Sequence, residues 1–128
     1  MNGPLFVANL LLTVAALGAT LHAGRKGLRR RHYGLALSTV LLLGAAIWQA
    51  EHIGRSFTFE ELRLQVHLAC AFAALACLPG VIWSGVRLAR GSGRRPVHRR
   101  WVGGFVILTV LAILTAGWMF LSAEPRAE

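Results

Sequence analysis

An all-α integral membrane protein is the fold class this chain predicts: four helices running up, down, up and down, with both termini on the non-cytoplasmic side. Three observations lead there. Hydrophobic residues make up 55% of the 128 positions and charged residues only 15%, too few to wet the surface of a soluble domain of this size. Four stretches, 1–24, 32–50, 64–86 and 101–123, carry no formal charge. Each is close to or above the roughly 20 residues that cross a hydrocarbon core as a helix. The charge that remains is sorted by loop. Arg25, Lys26, Arg29, Arg30 and Arg31 follow the first stretch, and Arg87, Arg90, Arg94, Arg95, Arg99 and Arg100 lie between the third and fourth. These loops hold eleven of the 14 basic residues and no acid, whereas Glu51, Glu60, Glu61, Glu124 and Glu128 all fall at the other ends. Basic loops stay cytoplasmic, which sets the orientation.

The helices follow in order. The first spans about 4–23, and its positive charges come after the apolar run rather than before it, so it reads as a retained span and not a signal peptide. A short loop to residue 31 makes the second helix, about 31–52, its antiparallel neighbour. The loop 53–61 carries Gly54, Ser56 and Thr58, with Phe57 and Phe59 placed to dip into the membrane interface. The third helix covers about 60–90, with Glu60 and Glu61 capping and charge-matching its start and Pro79–Gly80 kinking it near the middle. A polar break at 91–95 precedes Pro96, which suits the first turn of a fourth helix over about 96–122. The tail 123–128 reads as disordered, and no internal repeat is visible. Trp48 and Trp118 mark the outer interface; Tyr33, Trp83 and Trp101 mark the inner one. Small residues (Ala69, Ala71, Ala73, Ala74 and Ala76, then Gly103 and Gly104) supply faces for close helix packing, and a flat slot beside a histidine.

Composition excludes several functions. A net charge of +9 suggests a nucleic-acid partner only if its distribution is ignored. The chain has no Asp, no carboxylate pair within an apolar stretch and no CxxC, so hydrolytic, phosphoryl-transfer and carboxylate-driven transport chemistry have no residues to work with. Cys70 and Cys77 lie seven residues apart in one helix, about 10 Å, which forbids a disulfide between them. They read as packing residues, with a soft-metal site of Cys70 and His67 as the alternative.

The histidines carry the functional content. The topology puts His32 and His98 at the cytoplasmic side, His22 near the same level, and His52 and His67 at the outer side. His32 and His52 are twenty residues apart on one helix, roughly 30 Å in height and about 200° in phase. They therefore face nearly opposite directions, and the pairs His32/His98 and His52/His67 follow. A facing pair of neutral imidazoles is an axial ligand set for a low-spin haem b, and two layers accommodate one haem or two. Arg31, Arg95, Arg99 and Arg100 would meet propionates of the inner haem, and Arg55 and Arg63 those of the outer. Two other readings stand beside this one: interfacial or structural histidines, and copper or zinc held by the four histidines or by His52, His67 and Glu51.

The fourth helix reads His98-Arg99-Arg100-Trp101-Val102-Gly103-Gly104, with Thr115-Ala116-Gly117 near its far end. This resembles the last helix of cytochrome b561-like four-helix membrane proteins. Over about 31–121 the chain is most similar to a family of small four-span bacterial proteins that includes CtaM-type cytochrome c oxidase assembly factors. In that family a histidine at the start of helix two resembles His32, and one in helix three resembles His67. The chain differs in the later position of Pro79 and in its helix-four glycines. The resemblance implies the inner membrane of a bacterium. The expectation is a b-type haem protein moving electrons across the membrane within a respiratory complex. The alternative is a non-enzymatic assembly or accessory subunit of a haem–copper oxidase that handles haem or copper; a third reading is a structural subunit without cofactor. The expected partners are the lipid bilayer and another membrane protein or a second copy, with no nucleic acid.

Overall fold

The computed structural model describes residues 3–127. Its elements are α1 (Gly3–Arg25), α2 (Arg29–Gly54), β1 (Phe57–Thr58), α3 (Glu61–Ala89), α4 (Arg95–Phe120) and β2 (Glu124–Pro125). All four helices are long and apolar enough to cross a membrane, with mean hydropathy of 1.9, 1.5, 1.9 and 2.1 over 18-residue windows. Every helix end lies within two residues of its expected position. Side-chain exposure follows the same logic. Leu11, Phe72 and Leu114 are 65%, 63% and 64% exposed, while the buried apolar residues are Ala23, Ala46, Ala74, Phe105 and Met119. Long apolar side chains outside, and an interior of three alanines and four hydroxyl residues beside Phe105 and Met119, suit lipid as the solvent, where helices meet through close contact and hydrogen bonds.

α1 packs on α2 and α3 on α4, giving two compact hairpin units, Met1–Phe57 with Arg126–Glu128 and Thr58–Pro125. The first hairpin is stitched by polar side chains. Asn9 Nδ2 donates to Gln49 Oε1 at 2.9 Å, and the buried hydroxyls of Thr20 and Thr39 meet at 3.1 Å. Asn9 near the start of α1 meeting Gln49 near the end of α2 makes the pair antiparallel. In the second hairpin the Trp101 indole lies over Gly80, so close that a Cβ there would run into its ring atoms. Phe59 packs edge-to-face on Phe120, ring centroids 5.4 Å apart.

Both hairpin turns end their first helix in the same way. Gly27 (φ 70°) and Gly91 (φ 76°) adopt the left-handed conformation, which glycine reaches without a Cβ penalty. Leu28 N–H then returns to the Ala23 carbonyl and Ser92 N–H to the Arg87 carbonyl, each at 3.0 Å. Pro96 occupies the first turn of α4 as expected. α3 runs on through Pro79; the missing proline N–H removes one helical donor without ending the helix.

Several expectations are corrected. The tail reading as disordered gives way to β2 in its described part: Thr58 Oγ1 donates to the Glu124 carbonyl at 3.3 Å, and Arg126 N–H to the Ser56 carbonyl at 3.0 Å. Glu128, the last residue of that tail, lies outside the described residues. Glu60 stands at the N-cap of α3 but makes no side-chain cap; its carboxylate is taken by Arg63, with Oε2 2.6 Å from Nε. Of the five alanines expected to form the packing face of the third helix, only Ala74 is buried, since helical phase turns just one narrow stripe to α4.

Candidate functional site

Three of the five histidines are seated against the neighbouring helix of their own hairpin. His32, in the first turn of α2, places Nδ1 3.0 Å from the Thr20 carbonyl of α1. His67 of α3 places Nδ1 3.0 Å from the Ala112 carbonyl of α4 and 3.4 Å from the Thr115 hydroxyl. His98, in the first turn of α4, places Nδ1 3.0 Å from Ser84 Oγ, and that hydroxyl itself donates to the Val81 carbonyl at 3.2 Å. All three rings are half-buried.

The chemistry of these contacts assigns the protons. A carbonyl oxygen only accepts, so Nδ1 of His32 and of His67 carries the hydrogen. Ser84 has one proton for two neighbours: when it goes to the Val81 carbonyl the hydroxyl accepts from His98 Nδ1–H, and when it goes to Nδ1 the ring is the other tautomer. A neutral imidazole protonated on Nδ1 has its lone pair on Nε2. Backbone-held Nδ1–H is also how ligating histidines are oriented in metal and haem proteins. Helical phase made His32, His67 and His98 visible in the sequence. Their anchors, Thr20, Ala112, Thr115, Ser84 and Val81, were not visible, because three of these act through a backbone carbonyl that any residue type supplies. The only cue was a small residue opposite each ring at the basic end: a methyl group added at Gly24 would lie 3.1 Å from His32 Nδ1, and one at Gly85 3.2 Å from His98 Cε1.

His52 and His22 are different. Both are exposed, and His52 lies beside Trp48 with ring centroids 5.8 Å apart, next to the exposed Glu51–Arg55 ion pair at 2.6 Å. The expected pairs His32/His98 and His52/His67 each draw one histidine from either hairpin. Within α2, His32 faces α1 while His52 is exposed, in keeping with their difference in phase.

The cations also divide. Arg31, Arg95, Arg99 and Arg100 are exposed and form no ion pair among the described residues. Arg63 is committed: besides Glu60, its Nη1 donates to the Trp118 carbonyl at 3.2 Å and its guanidinium carbon lies 5.2 Å from the Trp118 ring centre. Its 2.6 Å contact with Glu60 is an ion pair whose angle is not that of a hydrogen bond. One turn beyond His98, an open groove of about 450 Å³ is lined by Cys77, Val97, Arg100, Trp101 and Gly104, an apolar trough with one cation at its rim. Among the described residues no group of three or more His, Cys, Asp or Glu is disposed to hold a metal ion. Cys70 and Cys77 are free and half-buried.

Comparison with known proteins finds no matching family model, no matching curated protein and no matching solved structure.

Proposed function

We propose that this chain is a b-type haem-binding membrane protein that carries electrons across the bilayer as part of a bacterial respiratory assembly. One observation carries the reading: imidazoles near the ends of apolar helices are seated through Nδ1 on the partner helix, His32 and His67 by Nδ1–H on a carbonyl and His98 on the Ser84 hydroxyl. Iron is bound by the deprotonated ring nitrogen, so a ring held by Nδ1–H is oriented as a ligand needs. His32, His67 and His98 are the residues that would hold haem iron, with the exposed His52 as a fourth donor. Haem, when bound, supplies a one-electron couple. The protein's own part is to fix ring orientation through Thr20, Ala112 and Ser84, and to keep water away with lipid-facing leucines. Arg31, Arg95, Arg99 and Arg100 offer unpaired guanidinium groups at the helix ends, suited to propionates.

The test is the visible spectrum of protein purified in detergent from cells supplied with haem. A reduced-minus-oxidised α-band is expected, lost in His32→Ala, His67→Ala or His98→Ala and kept in His22→Ala. A colourless preparation would overturn the reading and favour an accessory subunit of a haem–copper oxidase.

A further inference from the structure

The two hairpins share more than a common shape. The buried positions Thr13 and Ala23 of α1 fall on Ala74 and Ser84 of α3 when the chain is shifted by 61 residues, and these are the only buried residues of α3. The same shift places Gly24 on Gly85, the two glycines that lie against an imidazole. It also places Thr20 on Val81, the two residues whose carbonyls terminate the histidine contacts. A shift of 66 places His32 on His98 and buried Thr39 on buried Phe105. At that shift Arg29/Arg95, Leu42/Leu108, Ala46/Ala112 and Ile47/Ile113 are identical. The five-residue difference between the two shifts is spread over the end of α3 and the turn: both first helices end on a left-handed glycine and the same return hydrogen bond, and these caps match at a shift of 64.

We infer that the chain is a tandem duplication of one histidine-bearing helical hairpin, and that His32 and His98 are the same ligand-presenting residue in its two copies. The common unit is a first helix with a carbonyl four residues before a glycine, and a second helix whose first-turn histidine rests on that glycine with Nδ1–H directed at that carbonyl. In the first copy the contact is direct, and the position of Ser84 is held by Ala23. In the second copy the Ser84 hydroxyl stands between ring and carbonyl as a one-atom relay.

The other histidines are unique to one copy. His22 corresponds to Trp83, His52 to Trp118 and His67 to Phe6. The duplication therefore divides the histidines into an equivalent pair at the basic ends of the helices and unpaired additions elsewhere. This part of the inference, that the equivalent pair serves one kind of ligand site and His67 another, rests on the haem reading; the duplicated seat itself does not.

The seat is tested without any cofactor, by ¹⁵N NMR of the full-length protein in detergent with labelled histidine, the His32 and His98 signals assigned by their loss in His32→Gln and His98→Gln. Both rings are expected as Nδ1–H tautomers. Gly24→Ala should shift the His32 signals alone and Gly85→Ala the His98 signals alone, while Gly18→Ala, where an added Cβ meets nothing within 4 Å, shifts neither. Ser84→Ala should leave His98 as the Nδ1–H tautomer, because removing the relay reproduces the first copy. Conversion of His98 to Nε2–H in Ser84→Ala, or a Gly85→Ala protein with His98 unmoved while Gly24→Ala displaces His32, overturns the duplication. A colourless protein with the expected NMR pattern defeats the haem reading alone and leaves the duplicated seat standing.

Discussion

Thr20 and Thr39 show what one polar residue contributes where no water competes. Each hydroxyl lies 2.7 Å from a carbonyl of its own helix, Ala16 and Leu35 respectively, and 3.1 Å from the other hydroxyl. Two protons serve three contacts, so a hydroxyl that donates across the interface gives up the bond to its own helix. Interhelical hydrogen bonds of this kind average about 0.6 kcal/mol in membranes, because the separated helices also find partners. Thr39→Val keeps the shape and removes one hydroxyl. We expect it to cost about 0.5–1 kcal/mol in unfolding by mixed detergent micelles, with Thr20→Val similar. The double variant should cost less than the two added together, since the second change removes a contact that is already gone. Full additivity would show that the two hydroxyls are not coupled. The sequence shows the threonines as polar residues in apolar helices but not their partners. Which neighbour a hydroxyl meets depends on helix phase and crossing, and neither is written in composition.

At the scale of the element, the contact of Gly80 with Trp101 decides how closely α3 and α4 approach. The indole covers the glycine backbone where any Cβ would overlap it, and Pro79 beside it has already removed one backbone donor from the helix. Gly80→Ala forces the ring or the helix to move, a change of the overpacking kind that costs about 1–3 kcal/mol. Trp101→Leu in the same protein should recover most of that loss, because the smaller side chain vacates the space the new methyl needs. If Gly80→Ala melts with the wild type, or if Trp101→Leu fails to restore it, the contact does not set the interhelical distance. The sequence made Pro79–Gly80 visible as a kink and Trp101 as a membrane marker, each from its residue type alone. It could not show that they meet, and their meeting assigns both a packing role. The duplication was hidden for a related reason. Its matches are confined to a few buried or glycine positions, and the lipid-facing residues between them are free to vary as long as they stay apolar, while the unequal turns break the register.

For the whole molecule, the property read most directly from sequence is orientation, because membrane insertion responds to local hydropathy and to positive charge near helix ends rather than to tertiary contacts. The two hairpin turns, with the helix starts that follow them, hold eleven of the 14 basic residues without a single acid. Their burden is so one-sided that the acids elsewhere have no part in the decision. The expected topology therefore has Ser92, in the turn between α3 and α4, on the cytoplasmic side, and Ser56, after α2, on the other. Both residues are exposed, so a cysteine at either is open to reagent. In a background with Cys70 and Cys77 replaced by alanine, Ser56→Cys should react in intact cells with a maleimide that cannot cross the membrane. Ser92→Cys should react only after the cells are opened. The same experiment locates the duplicated histidine seats, since His32 and His98 each lie within one or two turns of these basic segments. A Ser92→Cys protein labelled in intact cells would invert the molecule and carry both seats to the outer face.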